Sequence, residues 1–413
     1  MRSPRGAYSA LLVTAGLYAN LQVHGEAENG NDNGFKIPIL NDRERGGYFI
    51  NVTIGVPGQD MALQLDTGSS DVWVPSSNAK LCRKPGDGGC SLGSFNVEES
   101  DTFDNDTNSL FSIAYQDQSS SEGTYFKDQF LIGPASLPQF TMGLGARTTI
   151  PYGLAGVGYA SDEAALATSP YGSMTWMPAR GIFCLEQSTP RKARSPSGSD
   201  LLTSEELPLP VVLDSGTTFS YLPQNMANQV WEEVGASWEP QAGMALLPCS
   251  YASHPGQFSF SFAGPNGPRV SVSMDELVVP FTSGEAPEFE SGPYRGQSAC
   301  ALGILNQTGP PYLLGDTFLR SAYVVYDLSN NEIGIAPTNF NTSKSNIVTF
   351  PSRGATIPST TAVPNELSRP QVQPAHPSMR AARGFQASDS AASHNPLSTP
   401  DSVIFLILIT LFW

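Results

Sequence analysis

Two stretches, Met61-Ala-Leu-Gln-Leu-Asp66-Thr-Gly-Ser-Ser and Leu209-Pro-Val-Val-Leu-Asp214-Ser-Gly-Thr-Thr, decide how this sequence is read. In each, an apolar strand-forming run ends in Asp and is followed by a hydroxyl residue, Gly and a second hydroxyl residue. Each has a later apolar-apolar-Gly partner: Leu154-Ala155-Gly156, 90 residues after Asp66, and Leu313-Leu314-Gly315, 101 residues after Asp214. From average residue frequencies, one Asp-[Ser/Thr]-Gly-[Ser/Thr] is expected in roughly one chain of this length in thirty. Two copies with matching partners therefore indicate a doubled chain.

A strand that ends in Asp and turns sharply at Gly projects its carboxylate, and the flanking hydroxyls and amides hydrogen-bond it. A pseudo-twofold axis relating the two copies brings Asp66 and Asp214 face to face. Carboxylates that close cannot both ionise, so they share a proton and titrate as a pair. One then serves as general base toward a bound water while the other, protonated, polarises a carbonyl. That pattern points to peptide hydrolysis without a covalent intermediate.

Short runs bounded by Gly, Pro, Asn and Ser surround these motifs: Tyr48-Phe-Ile-Asn-Val-Thr-Ile, Leu110-Phe-Ser-Ile-Ala-Tyr, Gln257-Phe-Ser-Phe-Ser-Phe and Ala322-Tyr-Val-Val-Tyr. Each reads as a strand. Helical periodicity is scarce, with one short helix expected over Gln224 to Val234, so the expected class is all-β. Among 413 residues, 39 Gly and 34 Pro against 22 basic and 38 acidic residues exclude a coiled coil or long helical bundle. A net charge of −16 excludes a general nucleic-acid binder, because phosphate affinity comes from excess Lys and Arg.

Both ends carry targeting patterns. Arg2 and Arg5 precede a weakly apolar run from Ala7 to Val23, which predicts a signal peptide over 1–25. Val403 to Trp413 is apolar but shorter than the ~20 residues a spanning helix needs. With small residues Ser390-Ala391-Ala392 and a polar spacer before it, this tail predicts a glycosylphosphatidylinositol (GPI) anchor signal over 391–413, attached at Ser390. From Pro351 to Ser402, Ser, Thr and Pro make up 21 of 52 residues, too few apolar groups to offset ordering entropy, so 343–390 is expected to be an extended stalk.

The five cysteines fit export: Cys82 and Cys90 suggest a small loop staple, Cys249 and Cys300 a longer closure, and Cys184 is left unpaired. Sequons at Asn51, Asn105, Asn306 and Asn341 are candidate N-glycosylation sites. With no CxxC spacing and only four His, no metal site is expected.

The sequence resembles the pepsin-type aspartic proteases, most of all the fungal GPI-anchored, yapsin-like enzymes. The likeness is specific at Asp66-Thr-Gly-Ser-Ser-Asp-Val-Trp73-Val-Pro, Asp214-Ser-Gly-Thr-Thr and Leu313-Leu-Gly-Asp-Thr-Phe-Leu-Arg320. It implies a bilobal fold, two pseudo-twofold-related β-lobes with a central cleft, placed at 48–185 and 186–342. Asp66 and Asp214 would be the dyad. Ser69 and Thr217 would bond their outer oxygens, Thr67 and Ser215 would bond across the lobes, and Gly68 and Gly216 would complete the loops. Tyr115 would belong to the hairpin flap over the substrate, with Trp73 as its hydrogen-bonding neighbour.

Three departures stand out. The flap usually reads Tyr-Gly-x-Gly; Tyr115-Gln116-Asp117-Gln118 lacks both glycines, which implies a stiffer tip, and Asp117 becomes a candidate for contact with basic substrate side chains. Only 56 residues separate Gly158 from Asp214, and the usual Phe-Gly-Gly-[Ile/Val]-Asp signature is missing, so the strands that help join the lobes are expected to be absent. Residues 26–47 leave room for at most a short propeptide.

The reading is a secreted, surface-anchored, monomeric aspartic endopeptidase acting on extended peptide or protein substrates. It needs no cofactor, binds no nucleic acid, and meets a membrane only through its lipid anchor. The alternative is a catalytically impaired, protease-like wall glycoprotein that binds peptides.

Overall fold

In the strand Gly47–Ile54, Ile50, Val52 and Ile54 are buried while Asn51 faces solvent, the period of two expected of a strand with one covered face. The computed structural model describes residues 36–84, 89–115, 117–158, 184–188, 199–202, 209–263, 267–281, 287–340, 348, 350–352 and 354–363. The expected signal peptide, the anchor signal with Ser390, and Asn341 lie outside these residues.

The first half contributes β1 (Leu40–Asp42), β2 (Gly47–Ile54), β3 (Gln59–Asp66), β4 (Val72–Pro75), β5 (Asp104–Ala114), β6 (Ser120–Ile132), β7 (Ala135–Thr148) and β8 (Gly153–Gly156). They form one sheet in the order β1-β2-β3-β8-β4-β7-β6-β5, and a further pairing of β2 with β6 closes six of them into a barrel. Ile50, Leu63, Phe95, Phe126 and Met142 fill it. Phe95 stacks on Phe126 with ring centroids 5.1 Å apart, and Phe103 leans on both.

The second half contributes β9 (Cys184–Ser188), β10 (Ser199–Leu202), β11 (Val211–Leu213), β12 (Ser220–Pro223), α1 (Gln224–Val234), β13 (Ser237–Glu239), β14 (Met244–Pro248), β15 (Gln257–Ser261), β16 (Arg269–Ser273), α2 (Met274–Leu277), β17 (Val278–Val279), β18 (Ala299–Leu302), β19 (Ile304–Gln307), β20 (Tyr312–Leu314), α3 (Asp316–Leu319), β21 (Ala322–Asp327) and β22 (Glu332–Pro337). Helix α1 spans the residues read as helical from the sequence and ends at Gly235 in the left-handed conformation (φ 67°), where a glycine carries no Cβ penalty. A separate core including Leu213, Met226, Trp231, Phe258, Phe260 and Phe318 fills this half.

The doubling is visible in strand order. β3 runs parallel to β8, and β4 returns antiparallel to β8 and parallel to β7. Likewise β11 runs parallel to β20, and β12 returns antiparallel to β20 and parallel to β19. The apolar-apolar-Gly motifs are β8 and β20 with the glycine that ends or follows each. Their glycines permit close passage of the returning chain: a Cβ on Gly156 would stand 2.7 Å from the Asp71 amide, and one on Gly315 would meet the Thr217 and Phe219 carbonyls.

The structure differs from expectation at both ends of the head. Between Gly158 and Asp214, β9 and β10 pair with each other, and β9 pairs with β15 in the sheet order β10-β9-β15-β16, so these two strands extend the second half and do not link it to the first-half sheet. The sequence alternation there is too short to announce them, and pairing to β15 supplies what local pattern lacks. Residues 184–188 and 199–202 therefore belong with the second half, and a lobe boundary at 185/186 falls within β9. Residues 40–47 are not apart from the head, since β1 pairs with β2 and the Thr218 hydroxyl donates to the Gly46 carbonyl at 2.6 Å. The stalk expectation also fails at its start. Ile357 is buried against the head, where a single apolar anchor overrides the polar composition around it.

Cys82 is bonded to Cys90 and Cys249 to Cys300. Asn51 and Asn105 are exposed and Asn306 is half-buried. Phe126→Ala should cost about 3–5 kcal/mol by emptying the barrel centre. It would be measured as a lower urea midpoint with unchanged slope.

Candidate active site

Strand β3 delivers Asp66 at its end, where the loop Thr67-Gly68-Ser69 folds back over the carboxylate. The Gly68 amide donates to Asp66 Oδ1 at 2.8 Å, and the Ser69 hydroxyl donates to Oδ2. The second copy repeats this atom for atom: the Gly216 amide donates to Asp214 Oδ1 at 2.9 Å and the Thr217 hydroxyl to Oδ2 at 2.6 Å. Each carboxylate lies against the glycine of the opposite loop, so the two acids meet where the halves join. Both are buried, at 3% and 8% exposure, so the pair is withdrawn from bulk water.

The loops lock across the halves by a reciprocal exchange. The Thr67 hydroxyl donates to the Leu213 carbonyl at 2.8 Å and accepts from the Ser215 amide at 3.0 Å. The Ser215 hydroxyl donates to the Leu65 carbonyl at 2.7 Å and accepts from the Thr67 amide at 3.2 Å. Each loop glycine presses on the opposite acid. A Cβ on Gly68 would stand 2.6 Å from Asp214 Oδ1, and one on Gly216 would approach Asp66 Oδ1 closer still.

Burial first, and then the charge of Asp214, push Asp66 up from 3.8 to about 7, against the opposing hydrogen bonds of Ser69 and Gly68. The pair therefore retains a proton where an ordinary carboxylate has lost it.

Above the dyad, β5 and β6 form a hairpin whose tip holds Tyr115 and Asp117. Trp73 Nε1 donates to the Tyr115 hydroxyl at 2.9 Å. Burial, and next the charge of Asp66, raise the pKa of that hydroxyl, so it stays protonated and able to donate. Gln118, in the place of the second flap glycine, takes a left-handed backbone at φ 70°. The turn is held by Asp117, whose Oδ1 accepts from the Ser119 amide at 2.9 Å and hydroxyl at 2.6 Å. That carboxylate is thus used by the tip itself. Burial, and next the charge of Asp117, raise the pKa of Tyr152 and of Tyr221.

Four residues of the site were not singled out in the sequence. Gln64 is buried in β3 and its Nε2 reaches the Gly216 carbonyl at 3.3 Å; a lone amide in an apolar strand was the available signal. Asp71 accepts from the Tyr125 hydroxyl at 2.6 Å. Tyr326 donates to the Leu213 carbonyl at 3.0 Å from a strand that reads as ordinary core. Asp316 is fully buried, and neither of its oxygens has a hydrogen-bond partner among the described residues. Burial holds its pKa well above the usual range, with Arg320 opposing and Asp214 adding to the rise.

The sequence pattern of eukaryotic aspartyl proteases matches residues 47–183 and 195–338. The chain belongs to this family. A protein of Arthroderma benhamiae named probable aspartic-type endopeptidase OPSB is 31% identical over 390 residues, covering 80% of this chain and 76% of its own. The protein of that name in Aspergillus fumigatus is 32% identical, with 76% and 73% covered. Secreted aspartic protease 1 of Candida albicans is 28% identical, with 75% and 86% covered. The enzyme is thus of the aspartic endopeptidase class.

A carboxyl raised above its unfolded value favours folding while it is protonated, and that advantage is lost as pH climbs from 3.8 through about 7. Melting temperature should therefore fall over this interval in the native protein and fall less in Asp66→Asn. Thermal melts at fixed ionic strength across the interval check both slopes.

Proposed function

We propose that this chain hydrolyses peptide bonds with a water held between Asp66 and Asp214. The observation that carries the reading is the pair of buried carboxylates with mirrored partners, each pressed against the other's loop glycine. In the free enzyme the pair shares one proton, as in the pepsin-type dyads that are the standard example of such sharing. The ionised member takes a proton from the water as it attacks, and the protonated member donates to the scissile carbonyl oxygen. The resulting gem-diol collapses when the protonated carboxyl gives its proton to the departing nitrogen and the ionised one takes a proton from a diol hydroxyl, so the C–N bond breaks, the acid and amine leave, and the pair again holds one proton. The mirrored amides and hydroxyls suit either carboxyl to either role.

The substrate is an extended peptide or protein segment lying under the flap, with Tyr115 fixed above it by Trp73. The intact pair favours this reading over a non-catalytic wall glycoprotein. The protein is exported and held at the cell surface by a lipid anchor, as the patterns at 1–25 and 391–413 indicate.

Asp66→Asn and Asp214→Asn should each lower kcat by at least about 10²–10⁴-fold, the usual contribution of a positioned acid or base. Pepstatin, a mimic of the gem-diol, should block the native enzyme; cleavage that persists in both variants sinks the mechanism. Phosphatidylinositol phospholipase should release the protein from intact cells, and retention after covalent wall linkage has been ruled out counts against the anchor.

A further inference from the structure

Beyond the last strand, residues 354–363 are exposed or half-buried except for Ile357, at 7% exposure. Its side chain lies over Gly334 of β22: a Cβ there would stand 3.3 Å from Ile357 Cδ1 and 3.5 Å from Thr360 Cγ2. The seat exists because position 334 has no side chain. The Thr360 hydroxyl donates to the Ile357 carbonyl at 2.7 Å, turning the segment around its anchor. A second tie comes from Asn330 in the hairpin turn. Its Nδ2 donates to Asp327 Oδ2 at 2.8 Å and to the Ala355 carbonyl at 2.9 Å.

The hairpin under this segment leads to the dyad. β21 and β22 form a two-stranded sheet with no third strand among the described residues, and such a ribbon is marginal unless something covers it. Val324, Tyr326, Ile333 and Ile335 pack on the second core. Val325 is paired with Gly334, and the next residue, Tyr326, donates to the carbonyl of Leu213, which immediately precedes Asp214. That carbonyl also takes the Thr67 hydroxyl.

We propose that residues 354–363 are a clasp, anchored by Ile357 in the Gly334 seat, that holds the β21–β22 hairpin and through it the strand end carrying Asp214. Ile357 is then a positioning residue, and the catalytic head extends at least to Val363. The inference rests on Asp66 and Asp214 being the dyad, and its test separates the two.

In the full chain, Ile357→Asp should lower kcat about three- to tenfold, since small displacements remote from the chemistry degrade alignment. KM should stay unchanged, because the clasp touches no substrate. Gly334→Val, which closes the seat from the opposite side, should give the same pattern, and Ile357→Val should behave as native. In the inactive Asp66→Asn background, Ile357→Asp should speed amide hydrogen exchange within 322–337 and leave the barrel of the first half unchanged. Unaltered exchange in the hairpin, an increase spread evenly over the molecule, or a rise in KM with native kcat would each overturn the clasp. Retained activity in Asp66→Asn would overturn the dyad reading alone.

Discussion

Two carboxylates facing each other out of water cannot both carry charge, and the rest of the molecule is arranged around that constraint. Burial pushes the Asp66 carboxyl toward its protonated form. At Asp66 the Ser69 hydroxyl and Gly68 amide favour the ionised form, and burial with the charge of Asp214 opposes it. In the proposed mechanism that balance leaves one proton for two sites, ready to move when a substrate carbonyl and a water arrive. The six-stranded barrel in the first half and the β11-β20-β12-β19 sheet in the second carry the two strand ends.

Those strand ends are tied together by the exchange between Thr67 and Ser215, in which each hydroxyl donates to the opposite strand's carbonyl and accepts the opposite loop's amide. Buried polar networks stabilise only when every member is satisfied, and here each hydroxyl both donates and accepts. Around it lie supports from elsewhere in the chain, namely Gln64 on Gly216 and Tyr326 on Leu213. A further buried acid, Asp316, joins the second loop through its backbone amide, which donates to the Thr217 carbonyl.

The doubled architecture and the two acids were legible because Asp-[Ser/Thr]-Gly-[Ser/Thr] after an apolar run encodes its own local geometry. The partner glycines 156 and 315 were legible for the same reason: the close passage of the returning chain forces the residue type. Strands β9 and β10 were not, since they are defined by pairing with β15, a relation that leaves no local mark. Nor was the clasp, because composition averages over the Ser-, Thr- and Pro-rich run and hides one isoleucine. Asp117 shows the limit at the flap. Its position was apparent, but its commitment to Ser119 depends on the turn that Gln118 makes possible.

Because Gly68 touches Asp214 and Gly216 touches Asp66, neither half carries the whole prescription for its own acid. A side chain gained in one loop is felt by the carboxylate of the other. The halves therefore cannot diverge freely after duplication: their histories are tied at these two positions, and an isolated half would retain only an everyday acidic residue.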